Sequence, residues 1–237
     1  MNKEENPPLS TQRAYRAQYE AFFAPLGRKI ASWGISADFI SFLNLFFSIL
    51  TTIAFFYSRD GNWIFIYIAI ILLIIASFFD MIDGSVARAS REQNPEKNNN
   101  KFGAVLDPAI DRYSEAFILL GIILSGYVPA DWVFFTFVGM IMASYIRARA
   151  ESLGMTNCSV GIERKEKITL LVIGATFEAL FFQLTQAKIM DFSSFYFSFN
   201  SFSGTMLIGP LAIFTLIVGI LSHYSAYQRL QLAKKYL

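Results

Sequence analysis

Hydrophobic and polar positions fall in long blocks along this chain. Six apolar runs, at about 38–57, 63–88, 103–126, 131–153, 165–187 and 204–233, are each long enough to span a membrane as helix, since ~20 apolar residues cross the hydrocarbon core. Ahead of them, Ser10 to Trp33 sets Tyr15, Tyr19, Phe22, Phe23, Leu26 and Ile30 at helical spacing, interrupted by Arg13, Arg16, Glu20, Arg28 and Lys29. That pattern predicts an amphipathic helix too charged to span. It lies on the membrane surface or packs as an ordinary helix on the cytosolic face. Gly34 ends it, and Ser36 or Asp38 caps the first span. Met1 to Pro8 is polar and proline-containing, and is expected to be disordered.

The connections between runs are polar in two different ways. Those near Ser58–Asn62, Gly126–Asp131 and Gln186–Ser203 carry few basic residues. The other side collects Arg28, Lys29, Arg88, Arg91, Lys97, Lys101, Arg147, Arg149, Arg164, Lys165, Lys167, Arg229, Lys234 and Lys235. The positive-inside rule puts this second side, with both termini, in the cytoplasm. An even number of spans agrees. The stretch Asp191–Gly204, rich in Phe and Ser, is expected to be an outer interfacial loop.

Composition strengthens the membrane assignment. Hydrophobic residues make up 54% of the 237 and the mean hydropathy is +0.44, well above a soluble domain of this length. The expected fold is therefore an all-α integral membrane protein with six transmembrane helices and an N-terminal amphipathic juxtamembrane helix. Residues 1–34 form the cytoplasmic tail and interfacial helix, and 35–237 the transmembrane domain. A net charge of +2 gives no argument for nucleic acid. One cysteine, Cys158, forms no internal disulfide and is expected to be inert in a loop. The single histidine, His223, removes multi-histidine metal sites and reads as a satisfied buried or interfacial residue. No cleavable signal peptide is expected, because the first apolar run starts near Phe39.

The candidate chemistry lies between residues 80 and 111. Asp80 and Asp83 end the second apolar run, followed by Gly84, Ala87 and Arg88; a polar insertion, Ala89 to Lys101, separates them from Gly103, Asp107 and Asp111. On a continuous helix Asp80 and Asp83 lie roughly 60° apart around the axis, and Asp107 and Asp111 are one turn apart, so each pair shares a face. Ionisable residues at the end of a span mark a functional site by default. Four carboxylates in one polar pocket repel unless cations neutralise them, and a pair of magnesium or manganese ions suits oxygen ligands in that number. Such pairs, ~3.5–4 Å apart, stabilise the attacking and leaving oxygens of a phosphoryl displacement. Gly84 and Gly103 would let a phosphate approach the backbone, and Arg88 can fork onto one. The carboxylate least tightly held by metal is the best base, and spacing alone leaves open which one that is.

Together, Asp80-x-x-Asp83-Gly84-x-x-Ala87-Arg88 and Gly103-x-x-x-Asp107-x-x-x-Asp111 resemble the signature of the CDP-alcohol phosphotransferase family in all eight fixed positions. Ala37-Asp38 stands where the family often has Pro-Asn, and the polar insertion is longer than usual. The resemblance implies a reaction in which an alcohol attacks the β-phosphorus of a CDP-linked lipid and CMP leaves. It implies that Asp80, Asp83 and Asp107 hold two divalent cations, Mg2+ or Mn2+, with Asp111 as general base and further metal contact. It also implies that Asp80, Asp83, Gly84, Ala87, Arg88, Gly103 and Asp107 line the CDP site, and that the protein is a homodimer.

Two further stretches, Ser144–Glu151 and Gly161–Lys167, resemble the inositol-phosphate-using branch of that family, the phosphatidylinositol phosphate and archaetidylinositol phosphate synthases. The resemblance implies that Arg147, Arg164 and Arg229 grip the phosphate of inositol 1-phosphate, with Lys165 or Lys167 able to substitute in the second stretch. An uncharged acceptor has no need of such cations. Positive-inside determinants and headgroup anchors are the alternative for any one of these residues, and Arg149–Glu151 could be a helix-end ion pair. The expected partners are a CDP-linked lipid, CDP-diacylglycerol or CDP-archaeol, inositol 1-phosphate and membrane lipid. The expected place is a prokaryotic plasma membrane, with the site facing the cytoplasm. The same chemistry with glycerol 3-phosphate or another small alcohol is the sibling reading. A cation transporter is the reading from another class; it predicts carboxylates near mid-membrane on discontinuous helices and no use for CMP.

Overall fold

The computed structural model describes residues 11–93, 102–155, 160–189, 196–201 and 204–236. The expectations for Met1–Pro8, for Cys158 and for residues 94–101 and 190–195 lie outside the described residues, as do the side chains of Tyr15 and Tyr19. The described elements are α1 (Thr11–Ser32), α2 (Ala37–Tyr57), α3 (Trp63–Gln93), α4 (Gly103–Ser125), α5 (Ala130–Ser152), α6 (Arg164–Gln186), β1 (Phe197–Ser201), β2 (Gly204–Ile208) and α7 (Pro210–Tyr236). The chain divides into two compact units. The first holds residues up to Asn44 and Phe78–Ile110, and the second Leu45–Ser77 and Asp111 onward.

In the first unit, α1 lies against the end of α3. Phe23, Leu26 and Ile30 pack with Ile82, Val86 and Ala89, the one-face spacing that the apolar positions of α1 require. Gly27 makes this close approach possible, because a Cβ there would come within 2.7 Å of the Ser85 backbone. Phe22, the neighbour of Phe23, is 77% exposed instead. α3 also runs further than its apolar pattern suggested. It continues through Gln93, so Ala89 to Gln93 are helix rather than the start of an irregular insertion.

The second unit holds the larger apolar core, built from α2 to α7 with Phe55, Leu73, Ile122, Met140, Leu171 and Leu211 at its centre. Small and hydroxyl residues set its helix spacing. The Thr52 hydroxyl donates to the Phe117 carbonyl at 2.6 Å, and that of Thr136 to the Thr215 carbonyl at 2.9 Å. Such contacts are those expected where helices associate without a hydrophobic drive between them.

Among the described residues, five helices, α2, α3, α5, α6 and α7, are long and apolar enough to cross a membrane. α4 has 23 residues, but every 18-residue stretch of it includes Asp111, Arg112 and Glu115, too many charges to stand as apolar.

The C-terminal part departs from expectation. β1 and β2 pair antiparallel, Phe197 opposite Ile208 and Ser201 opposite Gly204. A hairpin thus replaces part of the expected interfacial loop, and the last helix begins at Pro210, not at 204. The Phe-Ser-Phe-Asn-Ser alternation of β1 has the period of a strand, and Phe199 meets the Trp132 ring at 5.0 Å. Glu178, buried on α6, fastens this region. It accepts from the Tyr196 hydroxyl at 3.0 Å and from the Leu211 N–H at 2.9 Å, one of the otherwise unpartnered donors at a helix start. Burial, reinforced by Glu178, pushes the Tyr196 phenol well above its ordinary value, so it remains a donor.

Candidate active site

In the first unit, three of the expected carboxylates come from α3 and α4. Asp80 and Asp83 share a face of α3, and Asp107 lies in the first turns of α4. Ser41 of α2 joins two of them: its Oγ is 3.1 Å from Asp83 Oδ2 and 3.4 Å from Asp107 Oδ1, and 3.3 Å from the Ala37 carbonyl. One hydroxyl has one proton to donate, so the arrangement makes the two carboxylates converge on a single point. The Gly84 N–H donates to the other Asp83 oxygen at 2.5 Å. Asp83 is buried and Asp107 exposed, with Asp80 between. Among the described residues, no three acidic, histidine or cysteine side chains are gathered closely enough to hold an ion. The donor set is nonetheless all oxygen, two of its members share Ser41, and that chemistry fits a hard divalent cation.

The two signature glycines differ in surroundings. A Cβ on Gly84 would meet only the Arg88 guanidinium, at 3.7 Å, whereas one on Gly103 would come within 3.3 Å of Asp38 Oδ1. Protein packing therefore accounts for Gly103 but leaves room at Gly84. Asp38 is the residue that departs from the family's Asn. Arg88 is exposed, with its Nη2 3.3 Å from Ser85 Oγ, and Ala87 is half-buried.

In the second unit, Asp111 pairs closely with Arg164, Nη1 to Oδ1. The pair belongs to a larger network. Glu115, one turn beyond Asp111, lies 3.4 Å from Arg164 Nε and 2.7 Å from Arg112 Nη1, and the Arg112 nitrogen also donates to Ser144 Oγ at 2.6 Å. Glu115 is 1% exposed and Lys167 4% exposed; Lys167 is within electrostatic reach of Glu115, Arg112, Arg164 and Arg229.

Local sequence aims Arg164. Glu163 caps α6, and its N–H is bonded by Glu166 at 2.8 Å in a capping box. This makes Arg164 the first residue of the helix. Just before it, Gly161 has φ +85°, and a Cβ there would strike Ser225 at 2.3–2.9 Å, so only glycine fits this turn. The Ile162 N–H bonds Ser225 Oγ at 2.9 Å.

The other two expected arginines are placed differently from Arg164. Arg229, 6% exposed, donates to the backbone carbonyls of Val160 at 3.1 Å and Ala143 at 2.5 Å. Arg147 forms a surface pair with Glu151 at 2.9 Å. The helix-end partner of Glu151 is thus Arg147 and not Arg149, as the one-turn spacing favours. His223 is half-buried, its Nε2 3.0 Å from the Phe135 carbonyl and its ring stacked on Phe135 at 4.3 Å.

Ser41, Arg112 and Glu115 are the residues that sequence reasoning passed over. A signal existed for Glu115, which extends the 107–111 face by one more turn. None existed for Ser41, one of many hydroxyls in the spans.

Known proteins resemble this chain over most of its length. Residues 35–218 match the family model described as CDP-alcohol phosphatidyltransferase. The chain is 33% identical over 171 residues to the archaetidylinositol phosphate synthase of Pyrococcus horikoshii, covering 72% of this chain and 85% of that protein. Its fold resembles the crystal structure of Mycobacterium tuberculosis phosphatidylinositol phosphate synthase with CDP-DAG bound, with TM-score 0.62 and 22% identity over 89% of this chain and 92% of the other. The same enzyme in complex with manganese and citrate matches with TM-score 0.63 and 21% identity, covering 90% and 88%.

Proposed function

Because the chain belongs to the CDP-alcohol phosphatidyltransferase family, and is a multi-pass membrane transferase, we propose that it moves a phosphatidyl-type group from CDP-diacylglycerol or CDP-archaeol to inositol 1-phosphate. The acceptor hydroxyl oxygen forms the new bond to the β-phosphorus, the bond to CMP breaks, and the hydroxyl proton passes to Asp111. Asp80, Asp83, Asp107 and Asp111 would hold two divalent cations, Mg2+ or Mn2+, which supply charge stabilisation to a phosphoryl displacement. Gly84, Ala87, Arg88 and Gly103 line the CDP site with Asp80, Asp83 and Asp107. Arg147, Arg164 and Arg229 receive the acceptor's phosphate.

The observation that carries the acceptor is the charge balance in the second unit. Arg112, Arg164 and Lys167 are set around Asp111 and Glu115, three cations to two carboxylates. A phosphate dianion offsets that excess and an uncharged alcohol does not. The name of the Pyrococcus relative agrees with this choice.

The remaining parts of the reading follow from the family. α4 serves as a sixth span, its charges turned to the protein interior. Residues 1–34 form a cytoplasmic tail and interfacial helix before a 35–237 catalytic domain. The enzyme is a homodimer in a prokaryotic plasma membrane with its site on the cytoplasmic side.

The test is CMP release by the purified protein with CDP-diacylglycerol and Mg2+ or Mn2+, adding one acceptor at a time. Release is expected with inositol 1-phosphate alone and should stop with a chelator. Release with glycerol 3-phosphate instead would overturn the acceptor. Silence with both CDP-diacylglycerol and CDP-archaeol would overturn the reaction.

A further inference from the structure

The family signature ends at Asp111, but the face of α4 that carries it does not. Asp107, Asp111 and Glu115 recur every four residues, and the last of them has no place in that signature. A fully buried carboxylate costs several kcal/mol unless its partners are fixed. Glu115 has such partners on two helices, Arg112 at 2.7 Å within α4 and Arg164 at 3.4 Å at the start of α6. Arg112 is in turn tied to Ser144 of α5 at 2.6 Å. The contacts to Arg164 divide by atom: Glu115 faces Nε, and Asp111 takes the terminal Nη1.

We infer that Glu115 is a positioning residue for the acceptor, holding Arg164 by its Nε so that the terminal nitrogens are presented on the Asp111 side, where the acceptor's phosphate and hydroxyl are received. A planar guanidinium is useful to a phosphate only in a fixed orientation. An arginine at the first position of a helix has a long side chain with several rotatable bonds, and the capping box aims only its backbone. The inference rests on the reading of Arg164 as a phosphate contact.

Steady-state kinetics with CDP-diacylglycerol and inositol 1-phosphate test it. Glu115→Gln keeps the shape and removes the charge. It should raise the acceptor KM about tenfold or more, because a buried ion pair loses the charge of one partner, while kcat and the CDP-lipid KM stay near their original values. Glu115→Asp, which keeps the charge, should recover most of that loss. Placed on Arg164→Ala, the Gln substitution should add nothing, since its route is already gone.

Three results would overturn the inference. In the first, kcat falls and the CDP-lipid KM rises along with the acceptor KM, which marks Glu115 as structural only. In the second, Glu115→Gln has its full effect without Arg164. In the third, Arg164→Ala leaves the acceptor KM unchanged, and then the phosphate reading of Arg164 falls as well. Should Glu115→Gln fail to fold, Glu115→Asp carries the same comparison. Its shorter reach should raise the acceptor KM about threefold in the presence of Arg164 and not in its absence.

Discussion

The two charged clusters of this protein are built on opposite plans. In the first unit, Asp83 and Asp107 meet at a hydroxyl, and a backbone amide supports one of them. In the second, Asp111 and Glu115 are interleaved with Arg112 and Arg164. Neutral donors can orient a carboxylate without cancelling its charge, so the first cluster keeps its appetite for cations. In the second, the carboxylates face fixed guanidinium groups instead, with the Lys167 ammonium within reach of Glu115. On the proposed reading, one cluster serves metal and pyrophosphate chemistry and the other the choice of a phosphorylated alcohol.

Substitutions that separate binding from turnover test this contrast most severely. Asp111→Asn should cut CMP release by about a hundred- to ten-thousandfold, the range of general-base catalysis, while CDP-lipid binding persists. In the proposed assignment Asp83→Asn removes a metal ligand and not a base, so it should abolish both. If Asp111→Asn turns over near the original rate, the base lies elsewhere. Metal-dependent CMP binding, followed by calorimetry, supplies the second readout.

A milder test concerns Ser41. Ser41→Ala should lower kcat by about tenfold, since a hydrogen bond to a charged group contributes ~1.5–3 kcal/mol, and it should raise the metal concentration needed for half-activity. An unchanged metal requirement would mean that Ser41 merely fills space. The smallest effect belongs to Arg147→Ala. An exposed ion pair contributes ~0–1 kcal/mol, so the melting temperature in detergent should barely move. Any change in acceptor KM then reports binding and not folding.

Much of this was legible before any coordinates. The helices α2, α4, α5 and α6 begin and end within two residues of the expected spans, because hydrocarbon thickness sets length and the polar turns between them are short. The eight signature residues carried the family. What was not legible depended on neighbours distant in sequence. Arg229 reads as a basic residue near a helix end, yet two of its nitrogens bond carbonyls 69 and 86 residues away. Gly161 reads as an ordinary loop glycine until Ser225 is beside it. The hairpin was missed for another reason. In a membrane context, Phe and Ser around residue 197 suggest an interfacial loop by composition, and that association concealed the two-residue period that makes a strand.

Arg229 also bears on the order in which the protein is made. Its side chain reaches from α7 back to Ala143 near the end of α5 and to Val160 before α6, so these segments are synthesised without it. A chain is synthesised from its N-terminus, so α7 is the last of these segments to emerge. Until α7 arrives, the Ala143 and Val160 carbonyls lack their guanidinium and the Gly161 turn lacks the Ser225 wall against which it bends. The end of the second unit where the acceptor is proposed to bind is therefore completed late, by a closing stitch that joins α7 to segments made before it.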